Sequence, residues 1–550
     1  MKKYQVTGAE DEKFQAAIYL LEKFSKTTDD SNIVNVLFRN DPSLINDTWK
    51  IERNGETEVC VVGNSPVSFN AAVGYLVRHQ DDGIIKNQTI TYDNNFRAVY
   101  FANHFYNFYH SAPIEKIYEY IEQLALWGQN ILTLWFDMHH FADWQDINAQ
   151  NMIDRMEKIC VKAKSLGMKI FFIHLANEYY YQSNEDLRAE CSLENRLYRE
   201  KPVGFYYTEL CPSKRESVGL LLNSFEELLK RFQNVGLDYI CLFPYDQGGC
   251  TCKDCFPWGA NGYYKLSKLK AELAKKYFPK VNIILSMWRI GVFCDGEWEA
   301  FLKVAKKDNA WYDGLMVDID QFVPEELYTL NKSIFSFLDI SMYGATPWGG
   351  FGATPLPNIM KTRICEKSTH CQGGILYSEG IFEDINKIVC LELFRDSALS
   401  TEKILREYAA YHFGAEYADE IVQLILRLEK TIRRNVFDKD GNCCDYPVGK
   451  QTDLPTVRFI NSADIESIAR DFCDLHKRLP ETVRQNWRYR ILYIRATGDL
   501  ELLKNGGVPN EKTDEIFGGL ESIYFSEEAL YCVSPFKREA FFNNRSPGDL

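Results

Sequence analysis

The chemistry-bearing residues of this chain are densest between Tyr239 and Leu266, in the run YICLFPYDQGGCTCKDCFPWGANGYYKL. An apolar segment ends in Asp246 and Gln247, two glycines follow, and then come Cys250, Cys252 and Cys255. A carboxylate at the end of an apolar run can orient or protonate a bound molecule. Three thiols at C-x-C-x-x-C spacing suit a tetrahedral zinc ion, which needs a fourth ligand, and Cys211 in ELCPSK is the candidate for it. Such a zinc would be structural, and catalysis requires no cofactor. Unpaired thiols and a disulfide remain alternatives. A nucleophilic cysteine would need a histidine base, and this loop contains none. Trp258 in the following PWG reads either as a cleft wall or as part of a turn leading into a helix.

The elements that must position these residues show a regular rhythm. From Phe96 onward eight short apolar runs alternate with helical segments: FRAVYFAN, NILTLWFD, KIFFIHLANE, YICLFPYD, NIILSMWR, GLMVDID, FLDISMYG and GGILYSEG. Continuous apolar strands with helical crossovers indicate a parallel sheet. Eight in series over residues 94–399 predict a (β/α)8 TIM barrel. A doubly wound open sheet fits less well, because no glycine-rich phosphate fingerprint follows an early strand. Residues 1–93 read as a small N-terminal α/β domain. Phe14, Ile18, Leu21 and Phe24 share one helical face, Ser65 precedes a helix with Phe69, Val73 and Leu76 at helical spacing, and NIVNVLFR, TEVCVVGN and QTITYD read as strands. Residues 400–550 read as a C-terminal helical domain, with an apolar stripe at Ile421, Leu424, Ile425, Leu428 and Ile432.

Chemistry in such a barrel gathers at the C-terminal ends of the strands. The first strand leads into Asn103 and His104, and the second ends in Trp135, Asp137, His139 and His140. The third ends in Asn177 and Glu178, the fourth in Tyr245, Asp246 and Gln247, and the fifth in Trp288 and Arg289. The sixth ends in Asp318 and Asp320, the seventh in Tyr343 and then Trp348, and the eighth in Tyr377, Ser378 and Glu379. Carboxylates on several strands, between aromatic walls, suit glycoside hydrolysis. One carboxyl protonates the leaving oxygen while another group handles the charge at the anomeric carbon, and sugar rings stack on Trp and Tyr.

Composition narrows the classes. The chain has 550 residues, 46% hydrophobic and 25% charged, an ordinary globular balance that allows about three domains. A net charge of −14 argues against nucleic acid. No apolar run approaches the ~20 residues of a membrane span. The first residues read as no signal peptide, and most of the sixteen cysteines sit in apolar segments, so a reducing cytoplasm is expected. The composition is compatible with an oligomer.

The order of the three parts resembles the barrel glycosidases with an N-terminal α/β domain, typified by β-N-acetylhexosaminidases and α-glucuronidases. FRAVYFANHF resembles the RG-x-x-x-D-x-x-R-H opening of the hexosaminidases, in which the arginine holds sugar hydroxyls; the resemblance makes Arg97 a sugar ligand. In that family the fourth strand ends in an Asp-Glu pair, the Asp orienting the substrate acetamide and the Glu acting as acid. Here the pair is Asp246-Gln247, and an amide has no acidic proton. Glu379 is then the expected acid–base group, with Glu178 second.

The favoured reading is an exo-acting glycoside hydrolase that takes an N-acetylhexosamine residue from an oligosaccharide or glycoconjugate. Uronic-acid hydrolysis is the alternative within the class, with Arg289 as the cationic partner. An inactive sugar-binding relative is the alternative that Gln247 favours. A metal-dependent hydrolase using the thiols or His139 and His140 is more remote.

Overall fold

The computed structural model describes residues 2–7, 11–25, 33–81, 84–103, 107–190, 197–198, 201–202, 208–245, 249–293, 295–341, 353–431, 434–437, 443–444, 456–459, 462–508 and 510–525. His104, Asp246, Gln247, Tyr343, Trp348 and Ile432 lie outside the described residues.

Eight parallel strands close into the expected barrel: Phe96–Phe101, Ile131–Trp135, Lys169–Leu175, Tyr239–Phe243, Asn282–Ser286, Gly314–Asp318, Ser333–Asp339 and Gly373–Ser378. Each pairs with its successor, and the eighth returns to the first with Gly373 opposite Phe96. Gly373 has φ +112°, and a Cβ there would lie 2.0 Å from the Phe96 carbonyl oxygen, so the closing seam requires glycine.

Side chains alternate across each strand. Along the first strand Phe96, Ala98 and Tyr100 point into the barrel, while Val99 and Phe101 join the outer core under the helices. The interior is layered. Phe96, Phe171, Tyr239 and Phe335 interlock near the N-terminal mouth, with the Phe96 and Phe335 rings 4.0 Å apart. Aliphatic and sulfur side chains such as Ile173, Cys241, Ile284 and Met316 continue the filling, and a second aromatic layer follows toward the C-terminal mouth.

The N-terminal unit is a five-stranded mixed sheet carrying two helices, Glu12–Phe24 and Pro66–Arg78. Ser65 caps the second helix in a capping box with Ser68. Two strands, Lys3–Thr7 and Trp49–Arg53, go beyond those read from sequence. The second helix lies against the barrel helix Ile114–Leu126 so closely that a Cβ on Gly74 would be 1.9 Å from the Leu126 carbonyl oxygen.

Beyond residue 400 the chain is mainly helical, and Ile421, Leu424, Ile425 and Leu428 form the expected buried stripe of Ala418–Glu429. The expectation of helices alone needs one amendment: Arg434–Phe437, Cys443–Cys444 and Thr456–Phe459 pair as a small antiparallel sheet. The helix Trp487–Lys504 joins the barrel through Arg488, whose Nε lies 2.7 Å from Asp384 Oδ2. Asp384 opens the helix after the eighth strand and also accepts from the hydroxyls of Tyr120 and Tyr408, at 2.8 and 2.7 Å. Burial opposes ionisation of Asp384, but Arg488 beside it outweighs this and holds the carboxyl below its ordinary range. Among the described residues no helix is long and apolar enough to cross a membrane.

Candidate active site

The C-terminal mouth has an aromatic floor. Tyr100 and Tyr377 are 5.3 Å apart, Tyr377 and Phe337 5.7 Å, and Phe337 and Trp288 5.2 Å, with Phe243 and Trp135 in the same inward cluster. These residues come from strands one, eight, seven, five, four and two, since the inward positions near each strand end converge on the axis.

Carboxyls ring this floor. Glu178, just past the third strand, is fully buried. Its Oε2 accepts from Trp135 Nε1 at 3.2 Å, and its Oε1 lies 2.6 Å from His139 Nδ1. Burial, and after it the nearby negative charge of Asp137, holds the Glu178 carboxyl well above its usual range. Asp137 is hydrogen-bonded to His140 Nδ1, and its Oδ1 is buried without a hydrogen-bond partner. Glu379 is 4% exposed, against 0% for Glu178. The hydroxyl of Tyr377 donates to Glu379 Oε1 at 3.0 Å, and the Glu379 backbone N–H donates to Ser341 Oγ at 2.9 Å. Burial, with the Glu379 charge next, holds the Tyr377 phenol well above its ordinary pKa, so it keeps its proton and acts as donor.

The sixth and seventh strands add Asp318, Asp320 and Asp339. Burial raises the Asp318 carboxyl, against the Asp320 backbone N–H that donates to its Oδ1 at 3.0 Å. Asp320 is ion-paired to Arg363, whose buried guanidinium also donates to the Asp339 carbonyl. Trp288 and Arg289 follow the end of the fifth strand and are half-buried. Arg289 adopts φ +59°, a left-handed conformation costly for any residue that carries a Cβ. Its guanidinium lies 5.4 Å from the Trp288 ring and 5.8 Å from that of Phe293.

Two expected sugar ligands are placed elsewhere. Arg97 occupies an outward position near the start of the first strand, the end opposite the carboxyls. Fully buried, it donates to the carbonyls of Gly128 and Asn94 at 2.8 Å and to Asp47 Oδ2 of the N-terminal unit at 2.9 Å. The period of two that turns Phe96 and Tyr100 inward turns Arg97 outward. Tyr245 is buried in the outer core, where its hydroxyl bonds Glu297, a carboxylate that also receives the backbone N–H of Gly259 and of Gly291 at 2.8 Å. Trp258 is buried as well and donates to the Pro244 carbonyl at 2.7 Å, as a turn leading into a helix requires.

The structure thus brings Trp135, Asp137, His139, Glu178, Trp288, Arg289, Asp320, Tyr377 and Glu379 to one mouth. Sequence reasoning missed the role of Tyr100 and Phe337, inward by period two, and of Asp339. It also missed Phe322, 76% exposed in the loop after the sixth strand. A single phenylalanine just after Asp318 and Asp320, in VDIDQF, is the signal that could have found Phe322. A cavity of about 500 Å³ opens at the opposite mouth, lined by strand starts such as Phe96, Lys169 and Tyr239, where barrel enzymes carry no chemistry.

The cysteines meet as expected: Sγ of Cys211 lies 3.5 Å from that of Cys250, 3.7 Å from Cys252 and 3.9 Å from Cys255. Among the described residues this is the one cluster of three or more such ligand atoms close enough to share an ion. His139 and His140 pair with carboxyls instead.

No protein-family profile matches the chain, and no curated protein sequence does. Solved structures do match. A family GH115 4-O-methyl-α-glucuronidase with specificity for decorated arabinogalactans aligns at TM-score 0.59 and 11% identity, over 98% of this chain and 79% of that one. A family 89 glycoside hydrolase from Clostridium perfringens, solved with its substrate GlcNAc-α-1,4-galactose, aligns at 0.58 and 11%, over 93% of this chain and 64% of that one. The GH20 β-N-acetylhexosaminidase from Streptomyces coelicolor A3(2) aligns at 0.51 and 12%, over 76% and 92%. At these identities the likeness is one of fold: the chain has the barrel architecture of glycoside hydrolases, with an N-terminal sheet domain and C-terminal helices.

Proposed function

We propose that the C-terminal mouth hydrolyses a glycosidic bond, with an N-acetylhexosamine at the non-reducing end of an oligosaccharide or glycoconjugate as the favoured substrate. The observation that carries this is the placing of two buried carboxyls, Glu379 and Glu178, at the rim of an aromatic floor. Glu379 is the acid–base group, positioned by the Tyr377 hydroxyl and by its backbone bond to Ser341. Glu178 is the second carboxyl, its ionisation opposed by burial and its Oε1 bonded to His139. Asp246 orients the substrate, as the resemblance to hexosaminidases implies, and Gln247 supplies no proton. The solved hexosaminidase and the family 89 enzyme with a GlcNAc-bearing substrate support the amino-sugar reading.

Arg289 favours a second reading, a uronic acid. Its guanidinium has no carboxylate partner among the described residues and sits at the mouth in a strained conformation, flanked by rings. A sugar carboxylate would pair with it in two parallel hydrogen bonds. The solved α-glucuronidase supports this alternative.

The test is hydrolysis of nitrophenyl α- and β-glycosides of N-acetylglucosamine, N-acetylgalactosamine and glucuronic acid. Turnover of an N-acetylhexosaminide that is lost in Glu379→Gln supports the first reading. Turnover of the glucuronide, lost in Arg289→Ala, supports the second. Binding of sugar with no turnover, and turnover gained in Gln247→Glu, identifies an inactive sugar-binding relative.

A further inference from the structure

We propose that Cys211, Cys250, Cys252 and Cys255 bind one structural zinc ion as four thiolates, and that this ion fastens the loop after the fourth strand against the end of the third. The spacing of the sulfurs carries the argument. Four ligands at ~2.3 Å from a tetrahedral zinc stand ~3.8 Å from one another. The three distances from Cys211 are 3.5, 3.7 and 3.9 Å, and all four sulfurs lie within 4.8 Å of one another. A disulfide would need a pair at ~2.05 Å; instead the thiols are free and the sulfurs stand apart on all sides.

The surroundings suit a closed site. All four cysteines are buried, Cys252 the most exposed at 7%. Ser213 Oγ lies 3.0 Å from Cys211 Sγ and 3.6 Å from Cys252 Sγ, where its hydroxyl can donate to thiolate and orient it. The backbone N–H groups of Cys255 and Phe256 both donate to the Cys252 carbonyl, at 3.1 and 3.0 Å, which turns the chain tightly enough to bring Cys252 and Cys255 to one centre. Four protein sulfurs leave no open position for substrate or water, so the ion's part is structural.

What it would fasten is visible in the neighbouring hydrogen bonds. Asn177 accepts from the Gly249 backbone N–H and donates to the Gly249 carbonyl, both at 2.9 Å, and donates to the Leu210 carbonyl at 2.9 Å. Gly249 precedes Cys250, Leu210 precedes Cys211, and Asn177 precedes Glu178. The metal knot therefore grips both segments that Asn177 bridges, next to the second carboxyl of the mouth.

Metal analysis of the full chain, purified under reducing conditions without chelator, tests this. About one equivalent of zinc is expected, released when a mercurial reagent titrates four thiols. Cobalt(II) loaded in its place should give the intense visible bands of a tetrahedral tetrathiolate centre. Cys211→Ser should weaken or abolish those bands, while Cys160→Ser, a buried cysteine outside the cluster, leaves them unchanged. Metal-free protein with four individually reactive thiols, a disulfide, or a red iron-loaded protein overturns the assignment. If Cys211→Ser does not fold, the cobalt spectrum of the unaltered chain still decides.

Discussion

His139 Nδ1 and Glu178 Oε1 lie 2.6 Å apart, both fully buried, so a single proton is held between an imidazole and a carboxyl at the end of the third strand. Burial, then the Asp137 charge, raises the carboxyl pKa. The folded state therefore holds this proton more tightly than the unfolded chain. The contribution to stability is full below the ordinary carboxylate pKa and is lost as pH rises through the raised one. Thermal unfolding across pH should show that decline, and Glu178→Gln should flatten it. A profile unchanged by the substitution would mean that the carboxyl is ionised in the fold.

Glu379→Gln should lower turnover by about 10²–10⁴-fold, the scale of a positioned acid–base group, with sugar binding preserved. The loss should be milder for nitrophenyl leaving groups, which need little protonation, than for natural glycosides. Equal losses for good and poor leaving groups would remove Glu379 from the acid role. Tyr377→Phe should reproduce part of the effect through the lost 3.0 Å hydrogen bond.

Arg97→Ala should cost stability rather than affinity. It removes the cation beside Asp47, which keeps its bonds from Ser65 and Asn130, and takes the Arg97 donors from the Gly128 and Asn94 carbonyls in the joint between the N-terminal unit and the barrel. The cost should fall below the roughly 3–5 kcal/mol of a fully buried pair, because the Asp47 side chain is 21% exposed, and it is readable by urea unfolding. Sugar affinity of the folded fraction, measured by calorimetry, should not change; a fall there would return Arg97 to the site.

Phe322→Ala should do the reverse. The side chain is 76% exposed, so its loss should leave the unfolding transition in place. If it stacks on a sugar ring above Asp318 and Asp320, binding of an oligosaccharide should weaken by about 1 kcal/mol. Unchanged affinity for substrates of every length would make it an ordinary surface residue.

The barrel was legible because its strands are continuous apolar runs, each buried on both faces. The first helices were legible through caps and a period of 3.6. Trp49–Arg53 was passed over although Asn54-Gly55 marks the hairpin that returns it to Glu58–Gly63, with Asn54 N bonded to the Glu58 carbonyl at 2.9 Å. The position of the mouth followed from strand ends, but the direction of each side chain did not. Arg97 follows from the resemblance of its strand and Tyr245 from its place at a strand end, and both point into the outer core. Phe337 opens the run FLDISMYG with no chemistry of its own, yet period two sets it in the floor. The cysteine cluster was legible because thiols at C-x-C-x-x-C are rarely indifferent to one another. Cys211, the expected fourth member, comes from a different crossover and meets the other three in the fold.

The clamp between Arg488 and Asp384 bears on how the chain can be divided. A break near residue 400 would take away both Arg488 and Tyr408, leaving the buried Asp384 with the Tyr120 hydroxyl but without the guanidinium that pairs with it. Arg78, reaching from the N-terminal unit to Glu407 at 2.6 Å and to the Leu126 carbonyl at 2.7 Å, crosses the other joint in the same way. The three parts are therefore not interchangeable modules on a string. The ion pairs at both joints should make them unfold together, and a barrel excised from its flanks should lose stability before its chemistry could be assayed.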